Sequence, residues 1–365
     1  MKTTIHTSLP VLPLYCPFPV RRSPHAEAVG AESLLWMRRF DLFKDDTHRE
    51  YTRRARVGDF VGFGIPDGCA DTLQAATNYC NWLFAFDDAL CDEKLGGTTP
   101  DSLAPYLARM SRMLHTPEAP LMREDKWAAS LLDIRNHLAR QGTPAQVYRW
   151  VDQVDAYFSG LVWEAAIRQE PRSASLDDYL MMWQSSSAAL SALAFIEIAQ
   201  NYVLTAEEYH DPRVHALHDL SVALIAWHND ITSYNKEAFR EQYFGFPEAM
   251  NLVPVLARHH ACTPQQALLT AASMHDRAMR RMQQLAERTI ADSAPHLARY
   301  VRALTTWVAG SLHWHLTSGR YNDPNDPGQT IAPRVDMPAV VTRPSGTARL
   351  DEPLTTPVAA WWWNT

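Results

Sequence analysis

Three acidic side chains stand together at the end of an apolar helical pattern. Apolar residues recur at helical spacing over residues 73–85, and Asp87, Asp88 and Asp92 follow them. A helix that continued through this stretch would place Asp88 and Asp92 on one face, with Asp87 on its flank. Mg²⁺ prefers oxygen ligands and often binds through one or two carboxylates together with phosphate oxygens. The cluster therefore predicts a metal-diphosphate site, with a solvated helix end as the ordinary alternative for such a cluster taken alone.

A second polar set follows later in the chain. Asn229, Ser233 and Glu237 are each four residues apart, so they form one stripe on a helix. Their amide, hydroxyl and carboxylate oxygens suit a second Mg²⁺ position, and Lys236 could add a positive charge for a phosphate. The alternative is an amphipathic helix with a polar face.

In order and separation, these two segments resemble the aspartate-rich motif and the Asn/Ser/Glu triad of bacterial class I terpene synthases. Near the end, the sequence GSLHW from Gly310 and the sequence GRY from Gly319 resemble the family's tryptophan and its terminal Arg-Tyr pair. The resemblance covers roughly residues 15–322, including Pro17-Phe18 and the turn GFGIPD at residues 62–67.

This resemblance implies a cyclase that ionises an acyclic prenyl diphosphate and releases diphosphate, with farnesyl diphosphate placed ahead of geranylgeranyl diphosphate as substrate. It implies three Mg²⁺ ions. The residues that it assigns to metal binding are Asp87, Asp88, Asp92, Asn229, Ser233 and Glu237. A chain-elongating prenyltransferase is disfavoured because it would need a second aspartate-rich motif. The alternative from another class is a catalytically impaired homologue that binds a prenyl diphosphate or a partner protein.

The resemblance also assigns residues to the two ends of the substrate. Arg320 and Tyr321 would bind the diphosphate, with Lys236 beside them, and would count as catalytic together with Asp87 and the Asn/Ser/Glu triad. The side chains that would line the hydrocarbon cavity are Phe60, Phe84 and Trp314. Aromatic faces stabilise a nearby cation by on the order of 1 kcal/mol each.

One departure from the family concerns Trp183 and Ser187. Counting back from Asn229 to the position of the family's diphosphate-sensing arginine gives Trp183, and Ser187 stands where the family often has a helix-breaking glycine. An indole has one donor and no charge, so it cannot replace a guanidinium on a diphosphate. We hypothesise that Trp183 faces the hydrocarbon instead. Small side chains around Ser187 would widen the cavity and Trp183 would narrow it, so the substrate chain length stays open.

The elements that must position these residues are helices. The chain has 365 residues, 46% of them hydrophobic, and helical periodicity runs without a break in composition to about residue 320, including one segment over roughly 175–200. We predict an all-α, single-domain α-helical bundle of the class I terpenoid synthase type over residues 1–322. Residues 323–365 are rich in proline and end in three tryptophans near the terminus. They are predicted to be a disordered tail, with docking of the tryptophans on a surface groove as the alternative.

Charge and cysteine content narrow the remaining functions. The net charge is −7 and the sequence pI is about 6.1, so nothing indicates a nucleic-acid surface. The five cysteines lack metal-type spacing, which fits reduced thiols in a cytosolic protein. No signal peptide or membrane span is predicted, because the most apolar run, residues 190–199, is too short and contains Glu197. The expected protein is a cytoplasmic enzyme, and a homodimer would be ordinary for the family.

Overall fold

The computed structural model describes residues 9–10, 13–91, 98–169, 174–244, 250–322, 337–343 and 349–365. Helices make up nearly all of the regular structure in these residues, and one two-stranded sheet joins the two ends of the described chain. The prediction of an all-α fold is therefore confirmed. Among the described residues, no helix is long and apolar enough to cross a membrane.

The helices differ widely in length. They are α1 (Ala26–Arg39), α2 (Asp46–Ala55), α3 (Val57–Gly64), α4 (Ala70–Phe86), α5 (Pro100–His115), α6 (Lys126–Gln141), α7 (Pro144–Gln169), α8 (Leu176–Ser186), α9 (Ala189–Leu193), α10 (Phe195–Ala199), α11 (Ala206–Tyr209), α12 (Pro212–Phe244), α13 (Leu252–His259), α14 (Pro264–Asp292), α15 (Pro295–Thr317), α16 (Gly319–Asn322) and α17 (Pro357–Ala360). A π-helical turn, Asp87–Cys91, follows α4, and a 3-10 turn, Trp361–Asn364, follows α17. The strands are β1 (Leu14–Tyr15) and β2 (Val340–Val341).

Several helices begin where side chains satisfy the free backbone N–H groups of the first turn. Thr263 accepts from the N–H of Gln266 at 3.3 Å, and the Gln266 side chain accepts from the N–H of Thr263 at 2.9 Å, which completes a capping box for α14. Ser175 accepts from the N–H of Asp178 at the start of α8. Each cap supplies an acceptor to a donor that has no partner within the helix. These starts follow from local sequence alone.

The predicted continuous helix over residues 175–200 is broken into α8, α9 and α10. At the first break Ala188 adopts a left-handed conformation, with φ of 55°, which costs an L-residue about 1–2 kcal/mol. Packing accounts for the break, because α7 comes very close to the end of α8 at Gly160. A Cβ atom placed on Gly160 would lie 2.5 Å from the backbone nitrogen of Ser186.

Helix α12 lies at the centre of the bundle. It packs against α8, α13, α14 and α15, while α4 packs against α1, α3 and α6, and α7 packs against α5 and α8. The buried core is continuous across these contacts and includes large side chains such as Trp82, Trp150 and Trp227. The helices that carry the predicted site motifs, α4, α12 and α15, therefore belong to one hydrophobic core.

The prediction of a disordered tail is wrong for the parts of residues 323–365 that the structure describes. Strand β2 pairs in parallel with β1, with Leu14 opposite Val340 and Tyr15 opposite Val341. Further on, Leu354, Ala359 and Trp362 are buried. Burial of these apolar side chains offsets the entropy of ordering the segment, so the alternative of docked tryptophans describes it better. Residues 323–336 and 344–348 lie outside the described residues.

Candidate active site

The first acidic motif lies where α4 changes its winding. Helix α4 ends at Phe86, and Asp87 and Asp88 begin the π-helical turn. This differs from the predicted α-helix through the motif, since a π turn shifts the face on which successive side chains lie. Both carboxylates are half-buried. Asp92 lies outside the described residues, so its predicted place beside Asp88 stays a prediction.

Asp88 binds Arg320 of α16 through both terminal nitrogens of the guanidinium. The Nη1–Oδ2 and Nη2–Oδ1 distances are 3.2 and 3.0 Å. Burial disfavours the charged form of Asp88, but Arg320 outweighs it and lowers the pKa of Asp88 below its usual value. The predicted metal ligand and the predicted diphosphate-binding arginine are thus direct partners.

Asp87 has neighbours that the sequence analysis missed. Glu164 and Arg168, one turn apart on α7, form an ion pair. Removal from water and the nearby carboxylates of Glu164 and Asp88 raise the pKa of Asp87 to about 7, while Arg168 opposes the rise. An i,i+4 pair of opposite charges is usual on exposed helix surfaces, so no sequence signal placed this pair at the site.

The Asn/Ser/Glu triad lies on α12 as predicted, and a further asparagine joins two of its members. Asn251, the N-cap of α13, places its Nδ2 3.3 Å from Ser233 Oγ and 2.9 Å from Glu237 Oε2. Asn229 donates to the Tyr321 hydroxyl at 2.9 Å. Asn251 had no signal in the sequence, because its position depends on how α13 folds back onto α12.

Short helix α16 connects the two sets of predicted metal ligands. Arg320 contacts Asp88, and the next residue, Tyr321, contacts Asn229. Lys236 is buried, and its ammonium group lies 5.4 Å from the centre of the Tyr321 ring. The structure therefore brings together Asp87, Asp88, Asn229, Lys236, Arg320 and Tyr321, with Ser233 and Glu237 on the same stripe of α12.

Helix α2, which the sequence analysis did not predict, adds two groups. His48 Nε2 lies 3.9 Å from Asp88 Oδ2, and the Arg320 guanidinium lies 5.4 Å from the centre of the Tyr51 ring. Burial lowers the pKa of His48 despite the neighbouring Asp88. The helix is rich in charged residues and lacks an apolar stripe, so periodicity does not reveal it.

The three predicted aromatic residues form one wall. The Phe60 ring lies 6.5 Å from the Phe84 ring and 4.8 Å from the Trp314 ring, and Phe84 stacks on Trp314 at 5.6 Å. Trp314 is fixed by a hydrogen bond from its Nε1 to the carbonyl of Ala55 at 2.8 Å. The Arg320 guanidinium lies 4.7 Å from the centre of the Phe84 ring, so the polar set and the aromatic wall are in contact.

Trp183 is not placed with this wall, and the hypothesis that it faces the hydrocarbon is not supported. It lines a different small cavity, together with Trp227 and Trp362. That face of α12 points away from the triad, because Trp227 and Asn229 are two residues apart on the same helix. Ser187 is the C-cap of α8 at the helix break, and it is half-buried. Sequence position alone did not show which face of α8 turns inward.

The residues present fit a hard divalent cation. Every predicted ligand in the described chain offers oxygen, which is the donor type such ions prefer. The surroundings of Asp87 disfavour its charged form, and a cation beside it would remove that cost. A separate group, His115, Asp152 and Asp155, has ligand atoms within 4.8 Å of one another, but it contains none of the predicted ligands.

Two sets of predicted oxygen ligands, one in the turn after α4 and one on α12, next to an aromatic wall inside a helical bundle, are the arrangement expected of a class I terpenoid synthase. The family model described as terpene synthase family 2, C-terminal metal binding, matches residues 78–281. The chain belongs to this family and is a terpene synthase.

Relatives of known identity agree along most of the chain. A (+)-(1(10)E,4E,6S,7R)-germacradien-6-ol synthase of Streptomyces pratensis is 32% identical to this chain. The match covers 99% of this chain and 99% of the relative. A 4-epi-cubebol synthase of Streptosporangium roseum is 32% identical over 85% of this chain and 92% of its own. Among solved structures, the SVS_A2 protein from ancestral sequence reconstruction matches with a TM-score of 0.79 and 27% identity, over 97% of this chain and 99% of its own.

Proposed function

We propose that this terpene synthase ionises farnesyl diphosphate in the presence of Mg²⁺ and cyclises the resulting cation, with release of diphosphate. The observation that carries the proposal is the position of Arg320, which binds Asp88 and also lies 4.7 Å from the centre of the Phe84 ring. A charged headgroup and an apolar chain would therefore meet at this residue. The choice of farnesyl diphosphate is supported by two relatives, from Streptosporangium roseum and Streptomyces clavuligerus, that are named as cyclising (2E,6E)-farnesyl diphosphate.

Five described residues would hold the metal ions: Asp87, Asp88, Asn229, Ser233 and Glu237. Bound Mg²⁺ supplies Lewis-acid stabilisation of the departing diphosphate. For Asp88 to reach a metal ion, Arg320 must exchange at least part of its bond with this carboxylate for one with the substrate. The ion pair thus keeps the arginine near the place where the negative charge arrives.

The chain itself supplies the other contacts to the diphosphate. Arg320 offers a fork of donors that matches phosphate oxygens, and Lys236 offers a compact charge. Burial raises the pKa of Tyr321, so its hydroxyl remains protonated and can donate. When the allylic C–O bond breaks, the bonding electron pair leaves with the diphosphate and these donors meet the added negative charge.

The carbocation left behind needs a site that excludes water. Phe60 and Trp314 are buried, and Phe84 lies between this pair and Arg320. Their ring faces can stabilise a cation by about 1 kcal/mol each, and by more where water is excluded. The wall therefore protects the intermediate and favours some of its conformations over others.

The test is incubation of the purified protein with geranyl, farnesyl and geranylgeranyl diphosphate, with and without Mg²⁺, followed by product analysis. We expect a cyclic product from farnesyl diphosphate only when Mg²⁺ is present. The matched inactive variant is Asp87→Ala, and Asp67→Ala, which removes an exposed carboxylate paired with Arg21, is its control. A product made from geranylgeranyl diphosphate alone would overturn the substrate assignment, and undiminished turnover in excess chelator would overturn the metal assignment.

A further inference from the structure

The small cavity beside Trp183 lies where the C-terminal segment, defined as residues 349–365, packs on the helical bundle. Its lining includes Leu180 and Trp183 of α8, Ala223 and Trp227 of α12, and Ala359 and Trp362 of the C-terminal segment. Trp362 is only 1% exposed, and its ring lies 6.4 Å from that of Trp227. The segment thus inserts an indole between two helices that carry or support the site.

Arginines of α14 hold the C-terminal segment in place. Arg281 donates from Nε to the carbonyl of Trp362 and from Nη2 to the carbonyl of Thr365, both at 2.7 Å. Arg277 Nε donates to the carbonyl of Glu352 at 2.8 Å, and Arg280 Nε lies 3.2 Å from Asp351 Oδ1. Because three of these contacts go to backbone carbonyls, they hold the path of the segment as well as its side chains.

The inner side of α8 leads directly to the metal-binding helix. Tyr179, one turn before Trp183, donates to the carboxylate of Asp230, which is adjacent to the predicted ligand Asn229. Asp230 also accepts from the N–H of Leu252 at 3.0 Å, at the start of α13. The rings of Tyr179 and Trp183 meet edge to face at 6.0 Å. A displacement of α8 would therefore shift the groups that flank the triad.

We propose that Trp362 and Trp183 are positioning residues, through which the C-terminal segment clamps α8 against α12 and sets the shape of the substrate cavity. Helix α8 has only 11 residues and ends at a break with a left-handed alanine. The hydrogen bonds within α8 therefore do not fix its position relative to α12. The indole of Trp362, which lines the same small cavity as Trp183, limits outward movement of α8. The effect on cyclisation depends on the proposed function, whereas the clamping of α8 does not.

The test compares Trp362→Ala with Trp361→Ala by hydrogen exchange and product analysis. Trp361 is a matched control because it belongs to the same segment, but its ring lies 5.2 Å from that of His215 and does not line the cavity. In Trp362→Ala we expect at least threefold faster amide exchange in residues 176–187, unchanged exchange in α15, and a changed ratio of terpene products. Trp361→Ala and the conservative Trp362→Phe should keep parental exchange in α8 and parental products.

Two outcomes would overturn the proposal: parental exchange of α8 in Trp362→Ala, or equal acceleration in Trp361→Ala. If Trp362→Ala does not fold, Arg281→Lys removes the forked contacts to the carbonyls of Trp362 and Thr365 while leaving the Trp362 indole in the chain. It should then accelerate exchange in α8 relative to α15, and the absence of this difference would equally refute the clamp. Since exchange is measured without substrate, an enzyme that failed to turn over farnesyl diphosphate would leave this comparison decisive.

Discussion

Arg320 contacts both the acidic motif and the aromatic wall, so its substitution tests the site most directly. We expect Arg320→Ala to lower diphosphate release from farnesyl diphosphate by on the order of 100-fold or more, because donors aimed at developing charge contribute that much. Arg320→Lys should recover only part of the rate, since an ammonium group lacks the guanidinium fork. The control is Arg53→Ala, which removes an exposed pair with Glu50. A normal rate of diphosphate release in Arg320→Ala would contradict the assignment.

Phe84 tests the aromatic wall. Phe84→Leu keeps apolar volume but removes the ring face, so we expect substrate consumption to fall less than the share of the parental main product. Phe86→Leu is the matched control, because Phe86 lies on the same helix but packs in the core against Trp82 at 4.4 Å. Product analysis by gas chromatography distinguishes the two. Identical product ratios in Phe84→Leu and the parent would make Phe84 an ordinary core residue.

At the residue scale, the positions of the motif residues were predictable where they depend on spacing within one helix. Asn229, Ser233 and Glu237 follow from such spacing, and Arg320 from its place after the last long helix. Glu164, Asn251 and His48 were not predictable, because each reaches the site through packing between different helices. Trp183 is the opposite case. The sequence identified the position of this residue, but the direction of its side chain depends on how α8 packs.

Among the elements, the contact between α7 and α8 offers the sharpest test. We expect Gly160→Ala to lower the free energy of unfolding by about 1–3 kcal/mol, as overpacking of a close contact usually does, because the new Cβ would lie 2.5 Å from Ser186 N. Gly30→Ala is the control. Its Cβ would meet nothing closer than 3.5 Å, and alanine within a helix is about 0.5–1 kcal/mol better than glycine. Urea unfolding measures both, and equal stability of the two variants would refute the close-contact argument.

Element boundaries were predictable where they depend on capping side chains, as at Thr263 and Ser175. The break at Ala188 was not predictable, because apolar periodicity continues across it. The π turn at Asp87 was not predictable either, because the apolar pattern before it does not distinguish an α-helical from a π-helical continuation. Helix α3 was missed for a related reason. All of its residues are buried, so it shows no contrast between an apolar and a polar face.

At the scale of the whole molecule, the buried residue His218 predicts how the free energy of unfolding depends on pH. Burial lowers the pKa of His218, within α12, to about 3, against about 6.5 in the unfolded chain. The contribution of His218 to the free energy of unfolding is fully present above about pH 6.5. It is lost as pH falls toward 3, by about 1.4 kcal/mol per pH unit. His218→Gln, which can still hydrogen-bond to Tyr300, should therefore show a shallower fall in unfolding free energy between pH 6.5 and 5. Parallel stability curves for parent and variant would show that His218 does not titrate as stated.

The pairing of β1 with β2 also determines when parts of the chain can reach their final places. Leu14 cannot pair with Val340 until Val340 has been synthesised. At about 5–20 residues per second, synthesis of the roughly 300 residues between them takes on the order of 15–60 s. A further bond to this strand, from the Tyr15 N–H to Asp276 at 2.9 Å, also needs a partner that is synthesised late. During translation, β1 thus leaves the ribosome long before the segments against which it docks.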